Sequence, residues 1–440
     1  MSATIENAVN NANPASGSAT EGERLRAAAS LARRSGRVLL IAPQPFYQDR
    51  GTPIATQLVL AALTELGYEV DLLTYPLGAS PKIEGVNYQR LPNLLGFDSI
   101  PVSFSWKKLF LDGLLALRLP FMARRGRYIY VHAIEEAAFL AVLLRPLHRS
   151  PVVYDMASSL PEQLALKRIF RATPVQKTFR AMERKLLNSV DCVIASAGLG
   201  GFVSTAAAAT PVFEWRFPAD SAPVTASEVC QWREEFGLAP GVPVVCYTGT
   251  FAAYQGIPQL LEAIPKVVAS HPDACFLLVG AQDETEVSAT LEAVPASLRG
   301  NIRVLPRQSR EAVRRFMAVA DVLVSPRMVG DNIPLKVFDF LAMEKPVVAT
   351  RIAAHEAILS NNLAMMVEPS SEGIAEGVSS VLSDPSLANR LASSARAYAE
   401  QHLSWPGFVQ LIDDIGQTAS QRRLARRARA VTGAGPGRAR

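Results

Sequence analysis

The stretch Ser325–Thr350, SPRMVGDNIPLKVFDFLAMEKPVVAT, gathers two carboxylates, Asp331 and Asp339, and two cations, Arg327 and Lys336, around the start of one predicted helix. Carboxylates accept hydrogen bonds from hydroxyls, and Arg and Lys neutralise phosphate. A site that holds phosphate and hydroxyl groups side by side suits a sugar nucleotide. An ordinary helix cap beside one solvated Asp has the same sequence, and the pattern alone leaves that alternative open.

The surrounding residues predict how these groups are held. DVLVSPR reads as the end of a buried strand and PVVAT as the next one, with a loop and a helix between them. Pro334 suits the first turn, where its missing N–H has no partner to lose. Asp331 and Asn332 are predicted capping side chains just upstream. Leu335, Phe338 and Ala342 fall on one helical face, and Pro346 ends the helical run. The free N–H groups and dipole of such a helix start attract diphosphates.

This segment resembles the signature of the retaining glycosyltransferases of the GT-B type, family 4. In that signature two acids are separated by seven positions, and a Pro-Val-Val-Ala-Thr strand follows. The resemblance implies that Asp331 contacts the donor sugar and Asp339 the nucleotide ribose. It places Asn332, Ile333, Pro334 and Leu335 along the donor, and Arg327 and Lys336 at its diphosphate. Both acids are Asp where the family usually has Glu, so each reaches one methylene less far.

The rest of the chain alternates in the way a doubly wound fold requires. RVLLIAP is a buried strand. The loop QPFYQDRGTP follows, then a helix to Leu66 and the strand YEVDLLTYP. Thr52 before Pro53 gives a helix start and Gly51 permits close backbone approach. The loop lacks G-x-G-x-x-G, which disfavours a nicotinamide dehydrogenase. The RGTP segment resembles the family's N-terminal glycine loop, so the resemblance places Gly51 and Thr52 near the donor phosphates or the acceptor. YIYVHAIEEAAFLAVLL and PVVYDMASSLPEQL continue the alternation. The family often carries a His at the end of the latter strand, where this chain has Ala157. His132 and Glu135 precede it, and His132 is the candidate to line the same site, although a lone His is more often structural.

EWRFPAD marks the crossing to a second domain. There VPVVCYTGT ends in Gly249 and Thr250, and a helix start follows at Gly256-Ile257-Pro258. Relatives carry Arg and Lys in this loop, and the aligned residues here are Thr250 and Gln255, both neutral hydrogen-bonders. Charge compensation for a departing diphosphate therefore falls to Arg327, Lys336 and backbone N–H groups. ACFLLVGA, NIRVLP and MMVEP supply further strands. SWPGFVQLIDDIG resembles the family's C-terminal helix that returns to the first domain.

Composition fits this reading. The chain has 440 residues with 49% hydrophobic content, enough for two cores, and a net charge of +5. Its four cysteines occur singly, without metal or redox spacing, and no His-rich cluster or D-x-D is present; no metal site is expected. Residues 1–35 read as a disordered leader without an h-region, and no run approaches the length of a membrane span. A cytoplasmic protein is expected. Residues 101–128 mix Trp106, Phe110 and many Leu with Lys107, Lys108, Arg118, Arg124 and Arg125. This segment reads either as a surface helix with its apolar side on the sheet, or as an interfacial helix at the inner face of an anionic membrane. The C-terminal QRRLARRARAVTGAGPGRAR carries seven Arg and reads as a solvated tail. No zinc-finger spacing or aromatic platform points to nucleic acid.

The expected architecture is α/β: two Rossmann-like doubly wound domains facing a cleft. An acceptor domain spans 36–213, a nucleotide-sugar donor domain 214–402, a returning helix 403–418 and a basic tail 419–440. The resemblance covers about Arg37 to Ile415. It implies a retaining, metal-independent transfer of sugar from a nucleotide diphosphate to a glycan or lipid-linked hydroxyl, with no cofactor. A degenerate homologue that only binds a sugar nucleotide or scaffolds a partner enzyme is one alternative, motivated by Ala157, Thr250 and Gln255, and a sugar-nucleotide epimerase on the same fold is another.

Overall fold

A computed structural model describes residues 35–48, 51–101, 105–125, 128–165, 172–196, 198–330 and 333–432. The chain divides into two compact units. One comprises Arg216–Gly407, and the other takes Ser16–Trp215 together with Phe408–Arg440. All but residue 35 of the expected leader lie outside the described residues.

The unit ending at Trp215 is built on seven strands: β1 Arg37–Ala42, β2 Glu69–Thr74, β3 Val86–Arg90, β4 Tyr128–Ile134, β5 Val152–Met156, β6 Cys192–Ala195 and β7 Val212–Glu214. They pair in the order β3-β2-β1-β4-β5-β6-β7, every pair parallel. β1 and β4 are neighbours, with Leu39 opposite Val131 and Leu40 opposite His132. Strands covered on both faces need apolar residues at successive positions. RVLLIA and CVIA satisfy this, being buried from the second residue or throughout. On one face Leu39, Ile41, Val131, Ala133 and Tyr154 meet Leu111, Leu115 and Leu119 of the Trp106–Arg125 helix.

The other face of β4 presents Tyr130 and His132, and the chain's last helix, Trp405–Thr432, covers it. Phe408, Ile412, Ile415 and Ala419 of that helix recur at helical spacing and are buried. A Cβ on its Gly416 would lie 3.2 Å from the Tyr130 ring. The helix also runs on through the stretch that reads as a solvated tail. Side chains explain its persistence. Gln410 donates to Asp414 at 2.8 Å and Gln417 to Asp413 at 2.6 Å, one turn apart, and the Arg422 guanidinium reaches the Ala209 carbonyl at 2.5 Å. The final residues, 433–440, lie outside the described residues.

Arg216–Gly407 carries six strands: β8 Val244–Thr248, β9 Cys275–Ala281, β10 Ile302–Pro306, β11 Val322–Ser325, β12 Val347–Thr350 and β13 Met365–Val367. Their order is β10-β9-β8-β11-β12-β13, again wholly parallel. In each unit the first strand sits mid-sheet and the fourth lies beside it on the opposite side from the second. The connections therefore reverse direction between β1 and β4, and between β8 and β11. Such a reversal leaves a crevice at the carboxyl ends of the two strands, where ligands of doubly wound sheets bind.

Candidate functional site

In Arg216–Gly407 the reversal falls between β8 and β11, and the loops there carry Gly249, Thr250 and Gln255 on one side and Arg327 on the other, with Lys336 beside them. The loop after β11 begins with Pro326 and Arg327. Arg327 is buried, its Nε donates to the Val329 carbonyl at 2.8 Å, and its guanidinium lies over the Tyr254 ring at 5.1 Å. The loop is anchored from beneath. His355 Nδ1 is 2.7 Å from the Thr350 carbonyl and its Nε2 is 2.9 Å from Ser325 Oγ, while Thr350 Oγ donates to the Arg327 carbonyl. Burial pushes the His355 pKa down to about 4, so the ring is neutral, with Nδ1 donating and Nε2 accepting. Sequence reading missed this support, because nothing local marks a single His thirty residues from Ser325 as its partner.

Across the crevice, β8 ends in Gly249 and Thr250. The Ala253–Gln255 turn and the Ile257–Ser270 helix follow. Gly256 joins them with φ 77°, and a Cβ there would lie 1.8 Å from the Pro326 carbonyl oxygen. Only glycine allows the two loops to approach this closely. Met328 N–H donates to the Tyr254 carbonyl at 3.1 Å and ties them together. Thr250 accepts the Tyr247 hydroxyl at its carbonyl, 2.7 Å away. Gln255 is half-buried, and its Oε1 is buried without a hydrogen-bond partner.

Lys336 fills the space between the loops. Its Nζ is buried, makes no hydrogen bond to the described residues, and rests 3.9 Å from the centroid of the Tyr247 ring. A Cβ on Gly249, whose φ is 134°, would lie 3.3 Å from that nitrogen. Burial, reinforced by the Arg327 charge, lowers the Lys336 pKa to about 7. A buried cation without an anion beside it is costly, and the lowered pKa expresses that cost.

Lys336 belongs to the Leu335–Ala342 helix. Pro334 is the residue before its first turn rather than within it, with φ −66° and ψ 129°. Its ring permits this extended geometry, and the Leu335 and Lys336 N–H groups stay at the open end. Ile333 and Pro334 are buried and Leu335 is half-buried. Asp331 and Asn332, the predicted sugar contact and cap, lie outside the described residues. Asp339 pairs with Arg310 at 3.2 Å and keeps about a quarter of its side chain exposed. Burial raises its pKa, and Arg310 opposes the rise only in part.

In the other unit the reversal lies between β1 and β4. Gly51 and Thr52 open the Gly51–Glu65 helix that follows β1, both exposed, and a Cβ on Gly51 would meet nothing within 4 Å. Gly51 thus makes no close approach to its own chain. His132 does not line the crevice. It is 1% exposed, with Nε2 3.3 Å from Asp155 Oδ2, while the Trp215 indole N–H donates to Asp155 Oδ1 at 2.8 Å. Its position within β4 sends the ring to the covered face, which makes it a structural histidine. Glu135 occupies the strand end instead, with a left-handed φ of 51°. Ser158, the neighbour of Ala157, donates to its carboxylate at 3.0 Å. Burial, with Glu136 adding to it, pushes the Glu135 pKa up to about 8.

Two family descriptions cover these regions. Residues 242–384 match glycosyl transferases group 1, and residues 50–198 match the glycosyl transferase 4-like domain. The chain belongs to the group 1 glycosyltransferases. It is similar to a phosphatidyl-myo-inositol mannosyltransferase of Mycolicibacterium smegmatis, 30% identical over 38% of this chain and 42% of that protein. A GDP-mannose-dependent monoacylated alpha-(1-6)-phosphatidylinositol monomannoside mannosyltransferase of Corynebacterium glutamicum is 24% identical over 44% of this chain and 52% of its own. The chain spans about half, or less, of the length of these curated relatives. Sucrose-phosphate synthase from Thermosynechococcus elongatus has the same fold, with a TM-score of 0.69 at 18% identity, over 89% of this chain and 100% of that one. The two parallel-sheet units are those of the GT-B fold.

Proposed function

We propose that this group 1 glycosyltransferase moves a sugar from a nucleotide diphosphate to a hydroxyl of a glycan or lipid-linked acceptor, with retention of anomeric configuration. The observation that carries the reading is Lys336 Nζ, buried between the β8 and β11 loops with no hydrogen-bond partner among the described residues. A diphosphate there meets Lys336, Arg327 and the N–H groups at the start of the Leu335–Ala342 helix. These donors stabilise the charge that grows on the departing diphosphate, which is where such a site contributes most to rate. Asp339 is assigned to the ribose and Asp331 to the sugar, with Gly51 and Thr52 on the acceptor side. The chemistry assigned to these residues calls on no metal and no cofactor beyond the nucleotide sugar as substrate.

The names of the mannosyltransferase relatives make GDP-mannose the first donor to try, with phosphatidylinositol-based glycolipids as first acceptors. Purified chain is screened by thermal shift against GDP, UDP, ADP and their sugars, because a ligand specific to the folded state raises the midpoint. A shift with one diphosphate that disappears in Lys336→Met and Asp339→Ala supports the donor site, and NMR of the product reports the anomeric outcome. Thr250, Gln255 and Ala157 favour a second reading, a homologue that binds donor without turnover. Donor binding without transfer or hydrolysis, unaltered by Asp331→Ala, would establish it.

A further inference from the structure

The Trp106–Arg125 helix is apolar on two sides. Leu111, Leu115, Leu119 and Met122 are buried in the sheet-facing core. On the solvent side Trp106, Leu109, Gly113, Leu117 and Phe121 follow one another at intervals of three or four, so they form one stripe about 22 Å long at 1.5 Å per residue. The four large side chains are 63%, 61%, 67% and 62% exposed. The loop before the helix adds exposed Leu94 and Leu95, and its Phe97 packs edge-on against Trp106 at 5.4 Å between centroids. The short Arg145–His148 helix packs alongside and carries exposed Leu147. Isolated surface leucines are ordinary, whereas a continuous stripe of this kind marks a contact surface.

Charge decides what the stripe contacts. The helix carries Lys107, Lys108, Arg118, Arg124 and Arg125 against a single acid, Asp112. That acid is turned inward, accepting the Tyr75 hydroxyl at 2.5 Å. Lys108 is paired with Glu136 at 3.0 Å, while Arg118 and Arg124 are exposed close to Leu117 and Phe121 in the helix. No helix among the described residues is long and apolar enough to cross a membrane. We propose that this face rests on an anionic lipid surface, with the Trp106–Phe121 stripe entering the headgroup boundary and Lys107, Arg118 and Arg124 meeting lipid phosphates. Aromatic and Leu side chains beside cations, with Asp98 of the preceding loop as an exposed acid outside the helix, are the composition such an interface selects.

The test uses the full chain with vesicles of phosphatidylcholine alone, or with phosphatidylglycerol at a two-to-one ratio, and no sugar donor. Its outcome is therefore independent of the transferase reading. Co-sedimentation is expected with the anionic vesicles only, and it weakens as salt rises. Arg118→Gln with Arg124→Gln lowers partitioning roughly 30-fold, from the worth of two surface cations. Leu117→Glu with Phe121→Glu abolishes binding while the thermal midpoint stays put, because both side chains are exposed. A blue shift of tryptophan fluorescence on binding, absent in Trp106→Phe, places the stripe in the lipid. Failure to bind anionic vesicles, or equal binding by the double Glu variant, overturns the proposal. So does a wild-type dimer that the same variant makes monomeric and that ignores vesicles, which would assign the face to a second copy.

Discussion

Replacing Lys336 by Met separates binding from stability in a way few substitutions can. Met keeps the stem on the Tyr247 ring and removes a charge that no described residue compensates by a hydrogen bond. The pKa falls from 10.5 to about 7 on folding, which at 1.36 kcal/mol for each tenfold change in proton affinity sets an upper bound of about 5 kcal/mol on the cost of burying the ammonium. Loss of the ring contact offsets about 1–2 kcal/mol of any gain. The sign follows from proton binding. Below pH 7 both folded and unfolded chains carry the proton and the full cost is felt. Between pH 7 and 10.5 only the unfolded chain holds it, so wild-type stability rises with pH across that window. Lys336→Met is therefore expected to be more stable than wild type by about 2 kcal/mol at pH 6, or roughly 4–8 °C in the midpoint for a unit of this size. The gain shrinks toward pH 10. The same variant loses its response to nucleoside diphosphate. Differential scanning fluorimetry at pH 6, 8 and 10, with and without GDP or UDP, reads both effects. A variant less stable than wild type at pH 6 that still responds to the diphosphate would refute the assignment of Lys336 as an anion-binding group awaiting its ligand.

Glu135 gives the opposite pH dependence. Its folded pKa is raised from 4.5 to about 8, so its contribution to stability falls as pH rises through that window; Glu135→Gln should raise the midpoint at pH 9 and change it little at pH 4. His132→Ala leaves Asp155 with Trp215 alone and is expected to cost about 2 kcal/mol by chemical denaturation, with kcat unchanged, whereas a catalytic His would abolish turnover. Gly256→Ala forces a Cβ into the Pro326 carbonyl at positive φ and should cost about 2 kcal/mol or more together with most donor affinity, read by thermal shift and calorimetry. Of the four cysteines only Cys230 is exposed, so a thiol reagent should label one site quickly in the native chain and four after unfolding.

The strands were legible because parallel sheets covered on both faces leave little choice of residue, as RVLLIA and PVVAT illustrate. The division between the two compact units falls at Trp215 and Arg216, inside EWRFPAD, where the alternation of strand and helix breaks. What sequence hides is what distance decides. His355 reads as an unremarked histidine until Ser325 and Arg327 come beside it, and His132 reads as either a site residue or a structural one until the parity of β4 turns it inward. The Trp106–Arg125 helix has apolar residues on two sides, so periodicity does not reveal that only one of them is covered. The arginines after residue 419 were read by charge alone, although an intrahelical ladder and a backbone carbonyl absorb Arg422 without loss of helix.

The returning helix has a consequence for how the chain is made. Arg216–Gly407 is a continuous segment, inserted into a unit whose last element arrives only after it. Its two ends are stitched together, since Ala219 N–H donates to the Leu403 carbonyl at 3.0 Å and Arg396 to the Ser221 carbonyl at 2.9 Å. On a ribosome this segment has all of its parts before synthesis is complete. The unit translated first must wait, with Tyr130, His132 and Trp215 lacking their cover, until Phe408 and the residues beyond it leave the exit tunnel. The earlier half of the chain is thus the later to finish folding, and its open face is the one a chaperone would meet.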